Sequence, residues 1–490
     1  MACTTLLVGK KASYNGSTLI ARNDDSPTGV FHVKKLVSVD PKDQPRHYVS
    51  TLSHVEIDLP DNPLRYTAMP NVDKKEGIWA AAGTNEENVS MTATETITSN
   101  PRVLGADPYV KYVPAKDGKA ETKGGIGEEE LVVLVLPYIH SAKEGVLRLG
   151  KLIETYGTYE PNGIAFSDKD EIWWLESIGG HHWIARRVKD DEYVIMPNQF
   201  GLDRFDFADA YGAKKENLCA PDLQDFVRKA HLDLTLKGPF NPRSAFGSHD
   251  DSDHVYNTPR AWFMARYFNP RTYKWDGPDA DFTPESDDIP WALVPEHKIT
   301  IEEMKYALSS YFQGTPYNPY QKGDDPKKGI YRPIGISRTA FLSIHEIRGD
   351  LPKASQSIEW VAFASNAFNA LVPLYAHMKE VPSYFGSTTL KVDSNCFYWA
   401  SRLIGALSDA HFGMTANLVE RYQDAVANRS RAILEKYDAL IKDDRDAEKL
   451  IKEANAELAT MAEEETSKAL DQILFAVSCL MKNGFARSDN

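Results

Sequence analysis

Residues 3–26, CTTLLVGKKASYNGSTLIARNDDS, read as two apolar strands joined near Asn15-Gly16, a pair that tolerates the positive φ of a tight hairpin turn. A strict two-residue turn there puts Arg22 and Asp24 on the face of Cys3 and Asp25 on the other. Farther along, 31–39 and 46–58 read as β around the polar turn DPKDQPRH, and GIWAAAGTNEENVSMTATET (77–96) predicts two more strands around an Asn/Glu turn. The stretch 125–157, GIGEEELVVLVLPYIHSAKEGVLRLGKLIETYG, predicts helix, with acids in its first turn and a break at Pro137. Three apolar runs follow within 162–200. A polar, Pro- and Asp-rich region at 222–325 holds short helices, one of them capped by Thr300 and Glu303. Residues 358–375 read as paired strands, and from about 414 the apolar spacing is helical. Strands, a helical layer, more strands and a helical tail indicate α+β with antiparallel sheets rather than a βαβ array.

A chain of 490 residues suggests two to four domain-sized units. With 42% hydrophobic residues it can bury a large core, and a net charge of −14 argues against a nucleic-acid footprint. The four cysteines, Cys3, Cys219, Cys396 and Cys479, are far apart and form no CxxC pair, so neither a zinc site nor a disulfide framework is expected. No basic, then apolar leader opens the chain, and its longest apolar run, LVVLVLPYI, is too short to cross a bilayer. A reducing, cytoplasmic setting fits. No GxGxxG or GxxxxGK[ST] motif is present, and no cofactor or metal is expected. His181-His182 could suggest a metal, but neighbours in a strand point to opposite faces, and no third ligand stands near.

Cys3 raises a chemical question. A thiol attacks only as thiolate, and an internal residue has no basic nitrogen of its own. A free α-amino group does have one, with a pKa of roughly 7.7–8.0, and can take the thiol proton and return it to a leaving amine. This requires that Met1 and Ala2 be removed, so that Cys3 becomes the first residue. The bland alternatives are a small residue at a strand start for Cys3 and a surface ion-pair cluster for Arg22 and its acidic neighbours. Taken alone, Asn198 after Pro197 reads as a turn residue, and Arg260 as a helix residue with a solvated head.

The opening segment resembles the bacterial dipeptidase A family of N-terminal cysteine hydrolases, relatives of penicillin V acylase and bile salt hydrolase. The shared pattern is Cys, a hairpin, then Arg-x-x-Asp, matched by Cys3, Arg22 and Asp25. The resemblance therefore selects Asp25 where the register selects Asp24. It runs through GTNEENVSMTATET (83–96), VIMPNQF (194–200) and NTPRAWFMARYF (257–268), covering roughly residues 3–400. It implies an Ntn-hydrolase αββα sandwich at 3–410, a removed leader at 1–2 and a helical extension at 411–490. It also implies Cys3 as nucleophile, Arg22 and Arg260 beside it, Asp25 orienting the amine and Asn198 in the oxyanion hole. Glu95 departs from the Asn or Tyr of the acylase relatives, and a carboxylate there could pair with the free ammonium of a dipeptide. The activity implied is hydrolysis of small peptides, chiefly dipeptides. An acylase-type amidase and a non-catalytic scaffold are the rival readings. The acidic helical tail suggests self-assembly or a lid, and a solvated helix pair explains it as well.

Overall fold

The structure, a computed structural model, describes residues 3–442, 445–482 and 484, with backbone only at 93–95. The leader expected at 1–2 and the Glu95 side chain therefore lie outside the described residues. In chain order the strands of the two large sheets are β1 (Thr4–Val8), β2 (Thr18–Asp25), β3 (Ala82–Thr84), β4 (Ser90–Thr96), β5 (Asn162–Ser167), β6 (Ile172–Ile178) and β7 (His182–Val188). They continue with β8 (Tyr193–Met196), β9 (Asn217–Cys219), β10 (Ala292–Leu293), β11 (Thr339–Ile347), β12 (Ser357–Phe363) and β13 (Val372–Tyr375). The first sheet runs β10-β8-β1-β2-β11-β12-β13 and the second β9-β7-β6-β5-β4-β3. The strand pairs within both are antiparallel.

The sheets lie face to face, with β2 against β4 and β5 and both β11 and β12 against β3. Helix α1 (Ala142–Tyr156) covers the outer face of the second sheet. On the outer face of the first, α2 (Thr258–Phe268) packs on β8 and α3 (Ile301–Leu308) on β1 and β2. Helix α4 (Phe397–Ala410) lies on β12, while α5 (Phe412–Leu440) and α6 (Ala447–Ser478) lie on β13. This is the expected αββα sandwich with helices at the C-terminal end. Because both faces of the first sheet are covered, β1 and β2 are buried along their whole length instead of alternating. Leu6, Val8, Leu19 and Ala21 join the core under the helices, whereas Leu7 and Ile20 join the core between the sheets.

The connection from β1 to β2 is not the two-residue turn expected. Val8 pairs with Leu19, where that turn would have paired it with Asn23, so the ladder is shifted by an even number of residues. Gly9 brings the chain against the 189–190 turn, where any Cβ would meet the Lys189 carbonyl oxygen at 2.3 Å. Gly16, at φ 86°, serves the loop that follows. An even shift preserves the faces, so Arg22 and Asp24 remain on the side of Cys3.

Other expectations hold or fail locally. The break at Pro137 and the Thr300–Glu303 capping box are present. Within 162–200 there are four strands rather than three, and the regions 31–39 and 46–58 contribute only short ribbons at 37–39, 47–49 and 56–58. Strand β11, which pairs with β2, had no counterpart in the sequence reading. Among the described residues no helix is long and apolar enough to cross a membrane.

Candidate active site

Strand β1 begins just after Cys3, at the end of a central strand on the face turned toward the second sheet. Its thiol is fully buried. Opposite Thr5 in the ladder, Arg22 is also fully buried, and its Nη2 donates to Cys3 Sγ at 2.8 Å, to Asp24 Oδ1 at 3.1 Å and to Glu128 Oε1 at 3.2 Å. Its Nη1 donates to the Ala81 carbonyl at 3.1 Å. A guanidinium beside the sulfur favours the thiolate. The second Asp24 oxygen lies 3.1 Å from the buried Lys34 ammonium. Burial alone would raise the Asp24 carboxyl, but Lys34 and Arg22 outweigh it and hold it below its ordinary value. The sulfur and one oxygen each from Asp24 and Glu128 lie within 4.8 Å of one another, a set that could ligate a metal. The Arg22 nitrogen that bonds all three supplies a cation to those ligand atoms.

Asp25 has different partners from Asp24. Its Oδ1 accepts from the Thr339 hydroxyl at 2.5 Å and its Oδ2 from Arg332. The structure thus brings Arg22 and Asp24 together beside the sulfur and ties Asp25 to Thr339 and Arg332, where the ladder between β2 and β11 shifts register.

Arg260 stands in the first turn of α2, where the helix dipole disfavours a cation. Its head is not solvated, as the isolated reading had it, but fully buried. It donates to the Cys3 carbonyl, to Thr4 Oγ1 at 2.7 Å, to Asn257 Oδ1 at 2.7 Å and to Asn198 Oδ1 at 2.7 Å. Asn198 in turn donates from Nδ2 to the Thr96 carbonyl at 2.9 Å, so its amide orientation is fixed by both neighbours. A cleft of ≈ 650 Å³ opens beside it, lined by Thr96, Asn198, Asp250, Asp253, Tyr256 and Asn257 among others. Arg332 and Arg260 both lie over the Tyr256 ring, at 5.1 and 5.2 Å from its centre. Burial would raise that phenol, but Arg332, Arg338 and Arg260 outweigh it and lower it.

Sequence reasoning missed Lys34, Tyr256, Asn257 and Glu128. It read Glu128–Glu130 as helix-dipole acids, yet all three are buried. Glu129 is satisfied by Ser50 Oγ and the Thr51 and Leu52 amides. Burial and Glu129 push the Glu130 carboxyl well up. His181 and His182 do not diverge as expected. Lying at and just after a turn, both bring Nδ1 to Asp107, at 3.1 and 2.7 Å. Cys219 is deactivated, its thiol pushed up to about 11 by burial.

The two antiparallel sheets packed face to face between helices make an αββα sandwich, with a thiol heading a central strand and a guanidinium against its sulfur. The model of "Peptidase family C69" matches residues 2–425, and the chain belongs to that family. It is 51% identical to a protein of Bifidobacterium longum (strain NCC 2705) named Dipeptidase, across the whole of both chains. It is 48% identical to one of Streptococcus pyogenes serotype M3 named Probable dipeptidase A, again over the whole of both. Among solved structures, the C2A mutant of conjugated bile acid hydrolase from Clostridium perfringens aligns with TM-score 0.27 and 13% identity, over 74% of this chain and 89% of that one.

Proposed function

We propose that this chain is a cysteine dipeptidase whose nucleophile is Cys3, exposed as the first residue once Met1 and Ala2 are removed. The observation that carries the reading is the 2.8 Å contact of Arg22 Nη2 with Cys3 Sγ at the head of β1, in a chain whose full-length relatives are named dipeptidases. In the cycle, the Cys3 α-amine takes the thiol proton and the thiolate attacks the peptide carbonyl carbon. The tetrahedral oxyanion collapses to a thioester while the α-ammonium returns its proton to the departing amine. Water, deprotonated by the same amine, then attacks the thioester; the acid leaves and the thiol is restored.

Arg22 stabilises the thiolate. Asn198, with its amide oxygen held by Arg260, turns its NH₂ group to the oxyanion; one such donor is worth about 10²–10³ in kcat. Arg260 also fixes the Cys3 carbonyl. Asp25, the aspartate that the family's Arg-x-x-Asp pattern selects, orients the new amine. Glu95 belongs to the substrate cleft. The division into a catalytic unit at 3–410 and an extension from 411, a cytoplasmic setting and self-association complete the proposal. The four free cysteines support the setting. The exposed Leu474 and Phe475 on α6 support self-association with a second copy.

The test is intact-mass measurement of active enzyme together with Cys3→Ala. The expected results are a mature chain beginning at Cys3 and no dipeptide hydrolysis by the variant. An active enzyme still carrying residues ahead of Cys3 refutes the reading.

A further inference from the structure

Of the three consecutive buried glutamates, Glu129 has both oxygens hydrogen-bonded, and Glu130 accepts the Gly127 amide while burial pushes its carboxyl well up, its own Oε2 also having no hydrogen-bond partner among the described residues. Glu128 differs from both in standing against Arg22 at the nucleophile. One oxygen receives Arg22, and the other, Oε2, is buried with no hydrogen-bond partner among the described residues. Native chains rarely leave a buried carboxylate oxygen unmatched, because its lost hydration is not returned. Glu160 stands next to it, with Oε1 accepting the Glu128 amide at 2.9 Å. Burial, and then repulsion from Glu128, push the Glu160 carboxyl up to about 7. Two acids thus meet beside a nucleophile with Arg22 as their near cation, and it reaches only Oε1 of Glu128 while being divided with Asp24 and the sulfur.

We propose that Glu128, with Glu160 beside it, is the subsite for the free α-ammonium group of the substrate. This rests on the dipeptidase reading and deepens it. A dipeptide carries its ammonium one Cα away from the carbonyl that is attacked. A cation receptor within a few ångströms of the nucleophile therefore selects substrates whose scissile bond follows the first residue. Glu128 and the sulfur share Arg22, which sets that short separation. An ammonium donating to Glu128 Oε2 and Glu160 would match the unpartnered oxygen and relieve the repulsion between the two acids. An N-acylated or des-amino substrate would leave both unmet. The subsite thus acts as a ruler as well as a charge filter, rejecting longer peptides whose ammonium falls beyond reach.

The experiment compares Ala-Ala with propionyl-Ala, which has the same shape without the amine, on wild-type, Glu128→Gln and Glu160→Gln enzymes. Wild type should prefer Ala-Ala strongly. In Glu128→Gln, kcat/KM for Ala-Ala should fall about 10–100-fold, mainly through KM, while the slow turnover of propionyl-Ala does not fall. Glu160→Gln, which leaves the Arg22 contact in place, should show the same selective loss to a smaller degree. The rate of Cys3 alkylation by iodoacetamide in each variant separates recognition from activation of the sulfur, and should not fall, because a neutral Glu128 leaves more of the Arg22 field to the sulfur. Equal losses on both substrates, or alkylation that falls in step with turnover, would overturn the proposal by showing that Glu128 acts through Arg22. Wild-type enzyme that hydrolyses propionyl-Ala as well as Ala-Ala overturns it without any variant. Any of these results, with Cys3→Ala still inactive, would leave the nucleophile assignment standing.

Discussion

Replacing Arg22 by Met removes the cation that touches the sulfur and both neighbouring carboxylates, and the structure sets the size of the effect. At an effective dielectric of about 20, opposite charges about 4 Å apart attract by roughly 4 kcal/mol, equivalent to about 3 pKa units. Asp24 and Glu128, 3.1 and 3.2 Å from the same nitrogen, share its field and reduce what reaches the sulfur. The Cys3 thiol pKa should therefore rise by about 2 units, within the range of about 1–3 that one adjacent charge produces. Alkylation of Cys3 by iodoacetamide, followed by peptide mass mapping from roughly pH 5 to 9, reads this directly and should slow by about tenfold to a hundredfold at neutral pH. The Met variant also strands two buried anions, a loss of about 3–5 kcal/mol in stability, so Arg22→Lys is the companion. It keeps the charge, loses the fork, and should hold the thiol pKa within about one unit of wild type. A folded Met variant whose alkylation profile overlays that of wild type would refute the claim that Arg22 activates the sulfur.

Three further outcomes are expected. Because an Arg22 nitrogen already supplies the positive charge to the possible metal ligands Cys3, Asp24 and Glu128, dialysis against EDTA should leave dipeptide turnover unchanged; loss restored by zinc would contradict the mechanism. Burial raises the Glu359 carboxyl to about 8, so the folded state holds its proton between pH 4.5 and 8 while the unfolded chain releases it. Stability from this group is full at low pH and is lost as pH rises through that window, at up to about 1.4 kcal/mol per unit, so Glu359→Gln should gain in Tm over wild type from acid to alkaline pH. Finally, α5 and α6 bury Val419, Tyr422, Val426, Leu458 and Ile473 in the same core as β1 and β2. A chain ending at 410 should aggregate, and a soluble, active truncation would show the tail to be a separable extension.

The central hairpin was legible because its side-chain period survives errors in the turn. The loop between β1 and β2 was misread, yet an even shift in register kept Arg22 and Asp24 on the face of Cys3. Strand β11 escaped notice because TAFLSIHEI carries His345 and Glu346 in the second half of its run. Both are buried there, as His345 lies 3.7 Å from Glu359 and Glu346 accepts from Trp360, pairings that sequence patterning cannot anticipate. The same limit hid the acids of the site. Glu128–Glu130 precede an apolar helical run, where local rules assign acids to the helix dipole, and only the fold shows that the run turns inward. Arg260 carried an available clue: a cation in the first turn of a helix opposes the dipole, which marks it as held for another purpose.

That clue generalises to the whole cluster. Arg22, Lys34, Asp24, Glu128 and Arg260 are all buried around the head of one strand. Removing so many charges from water gains nothing over well-packed apolar side chains, which would often be more stable by about 1–4 kcal/mol. Stability therefore does not account for the arrangement. The contacts sort themselves by the atom each one serves: Arg22 the sulfur, Arg260 the Cys3 carbonyl and the Asn198 amide, Lys34 the outer oxygen of Asp24. Glu128 Oε2 is the exception, a buried acceptor with no hydrogen-bond partner among the described residues. In a site where each of these other contacts can be matched to a partner, the unmatched one is where the substrate has to be charged.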